Sequence, residues 1–91
     1  MGKIIFTEEG WADYTYWQTQ DRRTLKRINQ LMQDILRGGY EGIGKPEPLR
    51  GSLSGYWSRR IDETNRLVYR ISGTASDTVE VLSCRNHYSD K

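Results

Sequence analysis

The 91-residue sequence predicts an α+β fold, two N-terminal helices packed on a small antiparallel β-sheet, and three observations carry that expectation. Apolar and aromatic residues recur at helical spacing between Trp11 and Leu36. A Gly- and Pro-rich stretch follows, and three strand-like runs separated by turn residues fill the remainder. A chain of this length supports one hydrophobic core, so residues 1–91 are read as a single domain.

Taken in order, Lys3-Ile4-Ile5-Phe6 reads as a short strand, and Thr7 can cap a helix whose first turn holds Glu8 and Glu9 against the positive end of its dipole. Trp11, Tyr14 and Trp17 recur every three residues, which predicts that all three pack on the core. Asp21 is the expected N-cap of a second helix. Its apolar stripe is Leu25, Ile28, Met32 and Ile35, reinforced by Leu31 and Leu36, and Gly38-Gly39 ends it. Arg22, Arg23, Lys26 and Arg27 fall mostly on the outer face, where they either solvate the helix or meet phosphate or an acidic partner.

Between Gly38 and Gly51 lie five of the nine glycines and both prolines, with few apolar residues to bury, so this stretch is read as one structured loop. Gly55 to Ile61, Arg66 to Ile71 and Thr78 to Arg85 then form a meander, with turns at Asp62–Asn65 and Ser72–Asp77. If Ile61 lies across from Asn65, then Trp57, Ile61, Leu67, Tyr69 and Ile71 share one face while Arg60 and Arg66 share the other. Cys84, inside an apolar run, is expected to be buried and inert.

Composition narrows the function. Only 35% of residues are apolar, and three Trp and six Tyr must supply much of the contact area. One Cys forbids an internal disulfide, and one Cys with one His falls short of a structural zinc set, so neither a metal nor another cofactor is expected. No apolar run approaches the ~20 residues of a membrane helix, and the first six residues are too short for a signal core, which makes the cytoplasm the default compartment. The net charge is +2, but residues 1–21 carry Lys3 against Glu8, Glu9, Asp13 and Asp21. The remainder holds thirteen basic against eight acidic residues, which favours a polyanionic or acidic partner for the C-terminal portion.

The groups able to do chemistry are few. Glu47 stands between two prolines that limit its backbone, in Lys45-Pro46-Glu47-Pro48-Leu49-Arg50. His87, the only histidine, lies in Cys84-Arg85-Asn86-His87-Tyr88. Arg59, Arg60 and Arg66 come from the first two runs of the meander. RNA carries its own nucleophile in the 2'-hydroxyl, so its cleavage needs a base, an acid and cations around the phosphate, and a carboxylate, an imidazole and guanidiniums suit those parts. Tyr88 can stack on an unstacked base or touch the phosphate. Each also has a plain structural reading: Glu47 paired with Lys45 or Arg50, Arg59 paired with Asp62 or Glu63, His87 and Tyr88 as ordinary residues near a terminus.

The chain also resembles the YoeB (Txe) family of toxins within the RelE/ParE superfamily. The resemblance runs through Glu8-Glu9-Gly10-Trp11, Tyr14-Thr15-Tyr16-Trp17, Gly42-Ile43-Gly44-Lys45-Pro46-Glu47-Pro48-Leu49, Leu53-Ser54-Gly55-Tyr56-Trp57-Ser58-Arg59-Arg60-Ile61, Arg66-Leu67-Val68-Tyr69 and Cys84-Arg85-Asn86-His87-Tyr88. It implies a RelE/YoeB-like microbial ribonuclease fold and a bacterial endoribonuclease that cuts mRNA in the ribosomal A site. The implied partners are a cognate YefM/Axe-type antitoxin, the ribosome and mRNA, with a homodimer as a further form. By the same resemblance Glu47 is the general base, His87 the general acid, Arg66 the phosphate-stabilising arginine and Tyr88 the C-terminal tyrosine. Lys45, Arg50, Arg59 and Arg60 are the substrate-binding candidates. Two departures stand out: Ser89-Asp90-Lys91 extends beyond the His-Tyr pair where many relatives stop, and Asn65 occupies a position where some relatives carry His. The alternatives are a ParE-like gyrase inhibitor and a noncatalytic RNA-binding module, both of which lack a chemical use for the combined Glu47, Arg66, His87 and Tyr88 set.

Overall fold

The computed structural model describes residues 2–73 and 77–86. Strand β1 (Lys3–Phe6) leads through helices α1 (Glu8–Gln20) and α2 (Arg22–Gly38) to a loop and the two-residue strand β2 (Glu47–Pro48). A 3₁₀ turn at Gly51–Leu53 precedes β3 (Trp57–Arg60), β4 (Arg66–Ser72) and β5 (Thr78–Ser83). The sheet order is β1-β5-β4-β3-β2. The three strands of the meander pair antiparallel as expected, the unexpected β2 adds antiparallel to β3, and β1 pairs parallel with β5, making the sheet mixed. Alternation marks a strand but not the direction of its partner, and β1 lies beside the strand farthest from it in sequence.

Both helices cover one sheet face. Ile28, Leu31, Met32 and Ile35 of α2 bury against Leu67, Tyr69, Val79 and Val81, as the 3.6-residue stripe requires. Asp21 caps α2 by accepting from the N–H groups of Arg23 and Thr24, and Gly39, at φ +67°, closes its other end. Thr7 caps α1 by accepting from Gly10 N–H at 3.0 Å. A Cβ at Gly10 would stand 2.5 Å from the Val81 carbonyl oxygen, so glycine lets α1 lie directly on β5.

The aromatic repeat of α1 packs less uniformly than its spacing implies. Trp17 is buried, but Trp11 is 54% exposed. At 100° per residue, six positions place these side chains about 120° apart around the helix, so a strict three-residue repeat winds off the core. Trp11 instead meets Phe6 edge-on, with ring centroids 5.5 Å apart. Trp57 is half-buried and stacked on Tyr40 at 4.6 Å. No helix among the described residues is long and apolar enough to cross a membrane.

Candidate active site on the outer sheet face

Strand register decides which arginines can face a substrate. Ile61 N–H donates to Asn65 O at 3.0 Å. Arg60 then pairs with Arg66, Arg59 with Leu67, Ser58 with Val68 and Trp57 with Tyr69. Because partners share a face and neighbours alternate, Arg60 and Arg66 lie on the face away from the helices, and Arg59 lies on the core side.

The same register brings in Glu47. It pairs with Ser58, two residues before Arg60, so its side chain shares the face of Arg60 and Arg66. Arg60 is its diagonal neighbour, a relation that sets Cα atoms about 7–8 Å apart, and Arg66 lies one strand further across the same face. No sequence pattern announces this short strand, because two residues, one of them Pro48 and preceded by Pro46, are below any alternation signal. Its anchors are Leu49, 7% exposed, and Ser58, 2% exposed, with Leu49 N–H donating to Tyr56 O at 2.9 Å. Glu47 itself is exposed.

Two like charges directly opposite each other repel, and local carbonyls hold Arg66 in place against Arg60. Arg66 Nη1 donates to Asp62 O at 2.7 Å and to Asn65 O at 3.1 Å. Burial works to raise the Asp62 carboxyl, yet hydrogen bonds from Asn65 and Thr64, with the nearby Arg66 charge, carry it below the usual carboxylate range. Lys45 and Arg50 are exposed at either side of Glu47, Lys45 with φ +53° just before Pro46. His87 and Tyr88 lie outside the described residues. The segment just before them is described: Cys84 N–H donates to Asp13 Oδ2 at 3.0 Å, Trp17 Nε1 donates to Cys84 O at 2.8 Å, and the Arg85 guanidinium sits 3.7 Å from the Tyr16 ring centroid. Cys84 is fully buried, and burial beside Asp13 pushes its thiol up to about 12, in keeping with an inert thiol.

Arg59 corrects the expectation that it contacts substrate. It is 0% exposed and all five of its N–H donors are used inside the protein. Nε donates to Tyr69 OH at 3.1 Å, Nη1 to Asp34 Oδ2 and to Ile43 O at 3.0 Å, and Nη2 to Gly39 O at 2.7 Å and Glu41 O at 3.0 Å. Its partner acid is therefore Asp34 on α2, not Asp62 or Glu63. The Arg59 hydrogen bond holds the Asp34 carboxyl below its ordinary range, helped by the Ile43 N–H. Asp34 went unnoticed in the sequence, although it is the one acid in α2 against Arg22, Arg23, Lys26, Arg27 and Arg37. The clamp gathers the carbonyls between Gly39 and Ile43, and Gly44 O accepts from Arg60 N–H at 2.7 Å, so the loop is fastened just ahead of Lys45-Pro46-Glu47. A carboxylate and two guanidiniums on one face can take a proton from a hydroxyl and balance charge on a phosphate.

Residues 6–88 match the family described as the YoeB-like toxin of the bacterial type II toxin-antitoxin system. The chain is 52% identical over 86 residues to Toxin YoeB of Streptomyces coelicolor, covering 94% of this chain and 99% of that protein. Among solved structures it is similar to a YoeB/ParE toxin from Agrobacterium tumefaciens, with TM-score 0.90, 46% identity, and coverage of 94% of this chain and 99% of that one. It is also similar to the toxin in a YoeB-YefM complex from Staphylococcus aureus, with TM-score 0.87, 40% identity, and coverage of 97% and 99%.

Proposed function

The chain belongs to the YoeB-like toxin family of bacterial type II toxin-antitoxin systems, and from that premise we propose that it cuts mRNA in the ribosomal A site without a metal ion. In this reading Glu47 takes the proton of a 2'-hydroxyl, whose oxygen attacks the adjacent phosphorus. The bond from phosphorus to the 5'-oxygen breaks, and His87 gives its proton to that departing oxygen. The products are a 2',3'-cyclic phosphate, which water can open to a 3'-phosphate, and a 5'-hydroxyl. Arg66 balances charge growing on the phosphoryl oxygens, Tyr88 stacks on the base or touches the phosphate, and Lys45, Arg50 and Arg60 draw in the backbone.

The observation that supports this reading best is the register that sets Glu47, Arg60 and Arg66 on one sheet face. A surface built only to bind phosphate gains nothing from a carboxylate beside its guanidiniums. The test is the chemistry of the ends left on a translated mRNA. A 5'-hydroxyl and a cyclic or 3'-phosphate are expected, whereas a 5'-phosphate and 3'-hydroxyl would overturn the 2'-hydroxyl mechanism in favour of an activated water.

The partner proposed for control is a YefM-type antitoxin, whose acidic segment orders across the basic sheet face and the end beginning at Arg85. Amide-exchange protection gained there on complex formation is the expected result. The proposed compartment is the cytoplasm, where ribosomes work, and self-association as a homodimer is measurable by sedimentation.

A further inference from the structure

Asn65 stands immediately before Arg66, and Asn86 immediately before His87. Their contacts join the two points. Asn65 Oδ1 accepts from Asn86 N–H at 2.6 Å, and Asn86 O accepts from Arg66 N–H at 3.1 Å. Both backbone polar groups of Asn86 are thereby tied to the start of β4. Asn86 adopts φ +66°, a left-handed conformation that asparagine tolerates better than most residues, and these two bonds hold it there.

Asn65 is fixed in turn from below. Its Nδ2 donates to both Asp62 carboxylate oxygens, at 3.2 and 3.1 Å. Asp62 Oδ1 also accepts the N–H groups of Thr64 at 2.8 Å and Asn65 at 2.6 Å, an Asx turn that shapes the β3–β4 connection. The carbonyl of Asn86 belongs to the planar peptide group joining it to His87, so holding that oxygen constrains where the chain enters residue 87. The α1 side is held too, through Asp13 and Trp17 on Cys84 and Tyr16 under Arg85.

We propose that Asn65 is a positioning residue for the reaction: its carboxamide, braced on Asp62, fixes the backbone of Asn86, the residue that immediately precedes the proposed general acid His87. This deepens the proposed function and rests on its assignment of His87 as general acid. Removing the Asn65 side chain leaves intact both carbonyls that hold Arg66 Nη1, so the effect passes through His87 and not through the arginine. Misplacement of a reacting group by about 1 Å costs on the order of 10²-fold in rate.

The experiment is single-turnover cleavage on programmed, saturating ribosomes, with ribosome affinity and thermal midpoint measured for each variant. Asn65→Ala should lower the saturated rate roughly 10- to 10²-fold while affinity and midpoint stay near those of the parent. The double variant Asp62→Asn with Asn65→Asp exchanges donor and acceptor across the brace and keeps the acceptor for Asn86 N–H, so it should recover most of the rate. In a His87→Gln background Asn65→Ala should cost nothing more, since groups acting as a unit are non-additive. A parent-like rate for Asn65→Ala, or an undiminished loss in the His87→Gln background, overturns the proposal. A parent-like rate for His87→Gln alone overturns the general-acid assignment itself, and that result shows before Asn65 is touched.

Discussion

Arg59 and Arg60 are consecutive residues with opposite fates. Arg59 turns inward and spends all five N–H groups on Asp34, Tyr69 and three loop carbonyls. Arg60 turns outward, exposed, opposite Arg66 and diagonal to Glu47. The residue type is the same and strand parity alone separates them, so in a short sheet a charged residue's role follows from its face. The two faces also cooperate: the inner arginine fastens the loop that delivers Glu47 to the outer one.

The contrast breaks most severely at Arg59. Arg59→Met leaves Asp34 without its cation and orphans loop carbonyls, and should destabilise the fold by about 3–5 kcal/mol. Chemical denaturation would show it as a lowered midpoint, and an unchanged midpoint would mean that the buried clamp does not fasten the loop. Arg66→Ala should instead leave the midpoint nearly unmoved and slow single-turnover cleavage roughly 10²- to 10³-fold. Raising the pH should not restore that rate, because charge balance is lost and not a proton acceptor.

Asp34→Asn sharpens the comparison at the inner face, with an expected cost of about 1.5–3 kcal/mol and a change in acid stability. Asp34 has a folded-state pKa below its ordinary value. Its contribution is therefore complete above the unfolded-state value near 3.9 and is lost as pH falls through the lower folded-state value. Acid unfolding below about pH 4 should be shallower in Asp34→Asn than in the parent, as followed by circular dichroism. The smallest effect belongs to Arg50→Ala, which should weaken ribosome binding and reduce its salt dependence by about one phosphate contact, with the saturated cleavage rate kept.

The sequence made legible what periodicity and punctuation encode. Asp21 and Gly39 bound α2, the Ile28 to Ile35 stripe is buried, and the Ile61–Asn65 register puts Arg60 and Arg66 together. Four features escaped it for physical reasons. Trp11 follows an every-third-residue repeat that drifts around the helix, β2 is only two residues long and one of them is Pro48, and β1 chooses a partner from the far end of the chain. The Arg59–Asp34 clamp joins residues 25 apart through tertiary packing, and no local pattern announces such a pair. Within the candidate site, the Arg60–Arg66 pairing follows the expected register, whereas the place of Glu47 on the same face and the contacts of Asn65 with Asp62 and Asn86 depend on tertiary structure.

The central claim is that the outer face is built for proton transfer beside a phosphate and not for binding alone. Glu47→Gln tests it most directly, since Gln keeps size and hydrogen-bonding capacity and removes only the base. Single-turnover cleavage on programmed ribosomes should fall roughly 10²- to 10⁴-fold, with ribosome affinity and thermal midpoint equal to those of the parent. Cleavage at the parent rate would contradict the account and leave the sheet face as a binding surface.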